Sequence, residues 1–433
     1  MKVLMFGWEF PPFISGGLGT ACYGITKGLV HHGVDVTFVL PTKRGQQLSS
    51  HVRALAADEI LGSADFDRVI QRKEFERRIR EKISFGLSPY YTADYCNEVY
   101  ERLFRLREQV GISRKRSILD FTGNYGKDLH SEVSAYGIIG EFLGLTEDFD
   151  VIHAHDWLTY PAGVAAKQAS KKPLIIHVHA TEFDRSGDHV NQAVYEIERH
   201  GMHNADLIVA VSHYTKNIIV KRYGVHPDKV VVVHNAVDKQ CQFDRWGLKK
   251  PIKDKVVLFL GRVTMQKGPD YFIEAANLVL KKTKNVRFVM AGSGDMLHRI
   301  INRMAYLKIA NRFHFTGFLK GPEVERMFAL SDLYVMPSVS EPFGISAFES
   351  LLYDVPCIIS KQTGVSEVLT NAVMVDFWDV QKLSEQIVRI LTDDRLAADI
   401  VARCKGDLEN VAWENAGWHL KNIYQSLADG GQR

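Results

Sequence analysis

The chain has 433 residues, 46% of them hydrophobic and 24% charged, with a formal net charge of +3. That length exceeds what one core usually serves, so two domains are expected, and the charge is too small to argue for a nucleic-acid partner. No apolar run approaches the ~20 residues that span a bilayer, and five scattered cysteines without metal spacing suit a cytoplasmic protein.

The N-terminal "MKVLMFGWEFPP" has one lysine and a short apolar run ending at prolines, which reads as a first strand and not as a signal peptide. The following "PPFISGGLG" places Gly16, Gly17 and Gly19 ahead of a helical stretch, "LGTACYGITKGLVHHG". Glycines there let backbone approach a phosphate, and a helix N-terminus favours negative charge. The glycine spacing is not that of the dinucleotide fingerprint. "DVTFVLP" is a second strand. Residues 66–110 then leave the rhythm as charged helices around Tyr90, Tyr91, Tyr95 and Tyr100. They read as a solvated helical insertion; the alternative is that the tyrosines stack on sugars, and the basic stretch, 66–82, allows weak membrane-surface contact. Its apolar residues Phe66, Val69, Ile70, Phe75, Ile79 and Ile83 suffice to pack one face on the domain.

"FDVIHAH", "PLIIHVH", "ADLIVAVS" and "KVVVVHN" continue the strands, and Asp156 falls just past the first of these. His177 and His179 are expected on opposite faces of theirs, with one of the two packed. No spacing fixes a histidine–aspartate metal site, and no metal is expected. A charged, proline-bearing stretch at 238–255 marks a domain boundary and a hinge. The second half supplies "KVVLFLGR", "VRFVMAGSG", "RFHFTGF", "DLYVMPS" and "VPCIIS". Near-continuous apolar strands alternating with helices mean parallel sheets covered on both faces, hence α/β with two doubly wound domains. The expected division is 1–240, 250–412 and a C-terminal helix, 413–433, crossing back to the first domain.

Ligands of such sheets bind beyond the C-terminal strand ends. There "GRVTMQKG" offers Arg262 and Lys267, a cationic pair suited to a diphosphate, and "AGSG" offers Gly292, Ser293 and Gly294. "EPFGISAFE" puts Glu341 before Pro342 and Glu349 about one turn into a helix. Taken singly, Glu341 favours the helix dipole and Glu349 is a solvated charge.

Together "GGLG", "HAHDW", "HVHATEFDR", "GRVTMQKG", "AGSGD" and "SEPFGISAFESL" resemble the retaining glycosyltransferases of the GT-B fold, especially family four and the related glycogen synthases. The likeness runs along nearly the whole chain except 66–110. Two features depart from glycogen synthases: Ile14 and Ser15 stand before the glycines where those enzymes have a lysine, and Glu349 is an acid that family four keeps. The resemblance implies a donor that is a UDP- or ADP-linked sugar, a carbohydrate acceptor and no cofactor. It assigns Glu341 to sugar hydroxyls, Glu349 to ribose, His179 to the sugar's primary hydroxyl and Asp156 to the acceptor side. Backbone at Phe343, Gly344 and Ile345 would cradle phosphate or sugar oxygens, with Gly17 amides helping across the cleft. A hexose, with glucose foremost, would pass to an α-glucan with retention; the alternative acceptors are lipid-linked, polysaccharide or small molecules. A glycoside hydrolase, a pyridoxal-phosphate phosphorylase and a non-catalytic sugar-nucleotide binder are the rivals from other classes.

Overall fold

The computed structural model describes residues 1–12, 16–43, 51–70, 121–126, 129–239, Phe243, Gly247, Leu248, Lys250 and 252–430. Seven strands form the first sheet: β1 (Lys2–Phe6), β2 (Asp35–Leu40), β3 (Arg53–Ala56), β4 (Val151–His155), β5 (Leu174–Val178), β6 (Leu207–Ala210) and β7 (Val230–Val232). Six form the second: β8 (Lys255–Leu260), β9 (Val286–Ala291), β10 (Phe313–Gly317), β11 (Leu333–Met336), β12 (Cys357–Ser360) and β13 (Val373–Val375). The spatial orders are β3-β2-β1-β4-β5-β6-β7 and β10-β9-β8-β11-β12-β13. Every pairing of named strands is parallel.

The apolar runs become strands because helices cover both faces and leave no side for water. Val3 to Phe6 of β1 are at most 1% exposed, and Val257 and Leu258 of β8 are fully buried. Two strands were not legible in the sequence. β3, "RALA", has no β-branched residue, and β13 is only "VMV"; each sits at a sheet edge, where pairing to one neighbour decides the conformation.

Both sheets reverse their winding at one place, between β1 and β4 and between β8 and β11. There the flanking connections depart in opposite directions and open a crevice at the C-terminal strand ends. The loops after β1, β4, β8 and β11 carry Gly16–Gly17, Asp156, Arg262–Lys267 and Glu341 respectively. Strand order therefore collects residues that the sequence spreads over more than 300 positions.

The helix Trp413–Gly430 packs along the helix Gly17–His31 of the first half. Glycine makes the approach possible: a Cβ on Gly28 would lie 2.0 Å from the Trp413 carbonyl oxygen. Tyr424, fully buried on the same helix, meets His153 of β4 through its hydroxyl. Of the expected insertion, only its first residues are described. Phe66 and Val69 on the helix Ala64–Ile70 are buried, with the Phe66 ring 5.2 Å from that of Phe142. The tyrosine cluster and most of the basic stretch lie outside the described residues. Among the described residues no helix is long and apolar enough to cross a membrane.

Candidate active site

At the second sheet's reversal, β8 ends at Leu260 and the chain turns through Arg262 into the short 3-10 turn Met265–Lys267. Pro269 then opens the helix Pro269–Lys282, at the position where a missing N–H costs nothing. Arg262 is exposed, its Nη2 donating to Gln266 Oε1 at 3.3 Å. Lys267 is half-buried and its ammonium pairs with Glu341 Oε2. Ser338 Oγ donates to the same oxygen at 3.2 Å. The Gly292–Gly294 loop lies alongside, tied by Val263 N to Ser293 O at 2.9 Å; Ser293 and Gly294 are exposed.

Glu341 does not serve the helix dipole. It is 7% exposed and sits four residues before the helix Ile345–Leu352, in a parallel bridge to Thr363. Its amide donates to Gln362 O at 3.0 Å, and its carbonyl accepts from Gly364 N at 2.8 Å. Pro342 likewise stands outside the first turn. Gly344 makes the corner at φ 106°, where a Cβ would come within 2.9 Å of Met336 Cε. No side chain caps the helix that follows, and Phe343 beside it is buried.

Glu349 is not a solvated charge. It is half-buried, and burial, with Glu325 adding to the effect, pushes its carboxyl up to about 7. It borders a cavity of about 150 Å³ between the two halves, with Tyr23, Lys27, Glu325, Tyr353 and Trp413 also on the wall. Glu325 accepts a hydrogen bond from Tyr353 OH, and Lys27 pairs with Asp238 at 3.0 Å. Tyr23, Lys27 and Glu325 lie inside helices and have no local signal in the sequence.

At the first sheet's reversal the groups are backbone amides, imidazoles and one buried carboxyl. Gly16 and Gly17 are exposed at the uncapped start of the helix Gly17–His31, and a Cβ on either would meet nothing within 4 Å. Space there is open to a ligand. Asp156 turns the chain after β4 in the left-handed conformation, φ 56°, which aspartate tolerates better than most residues. Its Oδ1 accepts from His179 N at 2.7 Å and Ala180 N at 3.3 Å. Burial raises its carboxyl to about 6, against the pull of Arg185 and those two amides.

His177 and His179 lie on the same face, contrary to the expectation of opposite faces. Side chains two apart on a strand share a side, and their rings stack with centroids 4.3 Å apart. His153 and His155 do the same on neighbouring β4, at 4.4 Å. The four rings form one buried layer. His153 Nε2 meets His177 Nδ1 at 3.1 Å and His155 Nδ1 meets His179 Nε2 at 2.9 Å. Burial holds His153 and His179 down to about 3 and the other two well below the usual range, so all four are neutral. His177 and His155 are packed, whereas His179 keeps partial exposure.

The two halves touch at the glutamate loop. Ser340 Oγ donates to Asp184 Oδ1 at 2.5 Å and meets Tyr214 OH at 2.9 Å. Ser212 Oγ donates to the Pro342 carbonyl at 2.6 Å. Glu367 accepts from the His213 and Tyr214 amides at 2.9 and 2.7 Å. Asp184 was within reach of sequence reasoning, since it stands in "HVHATEFDR", but its partner Ser340 is 156 residues away.

The two-sheet architecture agrees with what the chain is similar to. The family model described as Glycosyltransferase Family 4 matches residues 95–240, and that of Glycosyl transferases group 1 matches residues 241–406. An uncharacterized glycosyltransferase of Methanocaldococcus jannaschii is 26% identical, over 98% of this chain and 98% of its own. A glycogen synthase of Mycobacterium tuberculosis is 25% identical, over 99% of this chain and 96% of its own. Among solved structures, the sucrose-phosphate synthase of Thermosynechococcus elongatus superposes with a TM-score of 0.71 at 14% identity, covering 99% of both chains. The chain belongs to the family-four glycosyltransferases of the GT-B fold, enzymes that move a sugar from a nucleotide-sugar donor.

Proposed function

We propose that the protein moves a glucosyl group, with retention and without a metal, from a UDP- or ADP-linked donor to an α-glucan. The observation that carries the chemistry is the Lys267–Glu341 pair at the second sheet's reversal, with Arg262 beside it. Breaking the sugar–diphosphate bond puts negative charge on the departing oxygen, and fixed cations where that charge grows lower the barrier most. Arg262 offers a fork, and an ammonium has three protons, so Lys267 can keep Glu341 and still donate to phosphate. The lysine pair and the Ser338 bond both fall on Glu341 Oε2, which leaves Oε1 for a sugar hydroxyl.

On the opposite wall, neutral His179 receives the sugar's primary hydroxyl, and ionised Asp156 stabilises the positive sugar in the transition state. The acceptor hydroxyl attacks from the leaving group's own face: its oxygen bonds to the anomeric carbon as the carbon–phosphate-oxygen bond breaks, and its proton passes to the departing phosphate. Glu349, at the wall of the 150 Å³ cavity, holds ribose. The full-length likeness to a glycogen synthase favours the glucan as acceptor.

The test is incubation with UDP-glucose and ADP-glucose in turn, with maltooligosaccharides and EDTA, and NMR of the product. A lengthened chain with a new α-linkage supports the reading. Hydrolysis of the donor, or transfer only to a lipid-linked or small acceptor, overturns the acceptor assignment; a β-linkage overturns retention.

A further inference from the structure

Beside the proposed sugar site, the histidine layer holds more donor atoms than the protein uses. His155 Nε2, His177 Nε2 and His179 Nδ1 are buried with no hydrogen-bond partner among the described residues. Proton counting sharpens this. A neutral imidazole has one N–H and one lone pair. Because His155 Nδ1 and His179 Nε2 share one proton, either His155 Nε2 or His179 Nδ1 must present a bare lone pair to an apolar interior. These outer nitrogens point away from each other, and the facing pair is held together only by that one shared proton.

A third ligand atom stands close to that facing pair, where an ion can take the place of the shared proton. Cys22, on the helix Gly17–His31, is a fully buried free thiol whose sulfur lies with one nitrogen each of His155 and His179 inside a 4.8 Å span. Zinc–nitrogen and zinc–sulfur bonds of about 2.0 and 2.3 Å need ligand separations of roughly 3.5 Å. Side-chain rotation on the order of 1 Å would therefore seat an ion. A second histidine trio, His153, His155 and His177, is less suited. It supplies no charge, and His153 already spends both nitrogens on Tyr424 and His177.

We propose that Cys22, His155 and His179 form a site for a zinc-class transition-metal ion, with a fourth position left to a water from the cleft. On binding, the Cys22 S–H bond breaks, sulfur bonds to the ion and its proton leaves to solvent, while the proton between the two imidazoles moves to the outer nitrogen of its own ring; no oxidation state changes. Burial and the neighbouring Asp156 and Glu9 hold the thiol protonated until the ion supplies the opposing charge. Partial exposure of His179 gives the ion a way in. Occupancy takes His179 away from the donor sugar, so the ion inhibits transfer. That consequence rests on the functional reading above, whereas binding does not.

Titration of the metal-free full-length protein with Co2+ tests the site. The expected result is one ion per chain, a thiolate-to-cobalt charge-transfer band, visible tetrahedral bands and their loss on adding Zn2+. Cys22→Ser should remove the charge-transfer band, and His155→Gln should weaken binding 10-fold or more. Wild-type protein without that band overturns the site whether or not the variants fold, as does a band that persists in folded Cys22→Ser. Zn2+ inhibition of wild type but not of Cys22→Ser, reversed by EDTA, supports the consequence. Cobalt–thiolate binding with no zinc inhibition upholds the site and overturns the role given to His179.

Discussion

The two sheet reversals face one cleft with opposite chemistry. After β8 and β11 stand an exposed guanidinium, bonded to Gln266, and a lysine–glutamate pair. On β4, on β5 and in the turns after them stand four neutral imidazoles and an aspartate that burial raises to about 6. The same topology has thus been given a charged wall and a desolvated one. A sugar–diphosphate has matching ends: an anion that must be held, and a neutral ring that becomes cationic for a moment. On the proposed reading, the diphosphate lies against the charged wall and the sugar ring between Glu341 and the desolvated wall.

The sharpest way to break this comparison is to discharge the charged wall. Arg262→Ala should lower kcat by about 100-fold or more while leaving the melting temperature nearly unchanged, because the side chain is exposed. Lys267→Ala should lose as much turnover and also melt lower, since it leaves buried Glu341 without its counter-charge. Steady-state kinetics beside thermal unfolding separate the two, and near-wild-type turnover in either variant would take that cation out of the mechanism.

The desolvated wall is probed by pH. Asp156 has a folded value near 6, and only its ionised form stabilises a cationic sugar. The active fraction therefore falls as pH drops through about 6, approaching tenfold per unit below it. Asp156→Asn should be slower by roughly 100-fold and lack that acid limb. A kcat/KM profile with the limb intact in the variant would assign it to another group.

Smaller effects divide the glutamates. Glu349→Gln should weaken binding of free UDP or ADP by up to about tenfold, the worth of one hydrogen bond to a charged group. Glu341→Gln should spare the free nucleotide and weaken the intact sugar nucleotide. Calorimetry with both ligands would show the reverse pattern if the two acids have exchanged roles. The smallest expected effect is none: EDTA should leave turnover unchanged, and a loss restored by magnesium would mean that the cations do not neutralise the diphosphate alone.

The sequence by itself determined the doubly wound halves, because apolar strands buried on both faces leave a mark in any window of five or six residues. It also located the cationic pair, Glu341 and Asp156, which sit in short segments just after such strands, and Glu349 on the helix that follows Glu341. Local pattern carries that much because backbone pairing and burial repeat along the chain. Only tertiary structure decided what those groups experience. Glu349 rises to about 7 because burial and Glu325, 24 positions earlier, surround it, and neither effect has a local signature. Strand pairing stacks His153 and His155 on His177 and His179, and the first helix adds Cys22 from more than 130 residues away. Desolvation and electrostatic coupling depend on distances through space, and those are set by how two sheets and one returning helix close on each other.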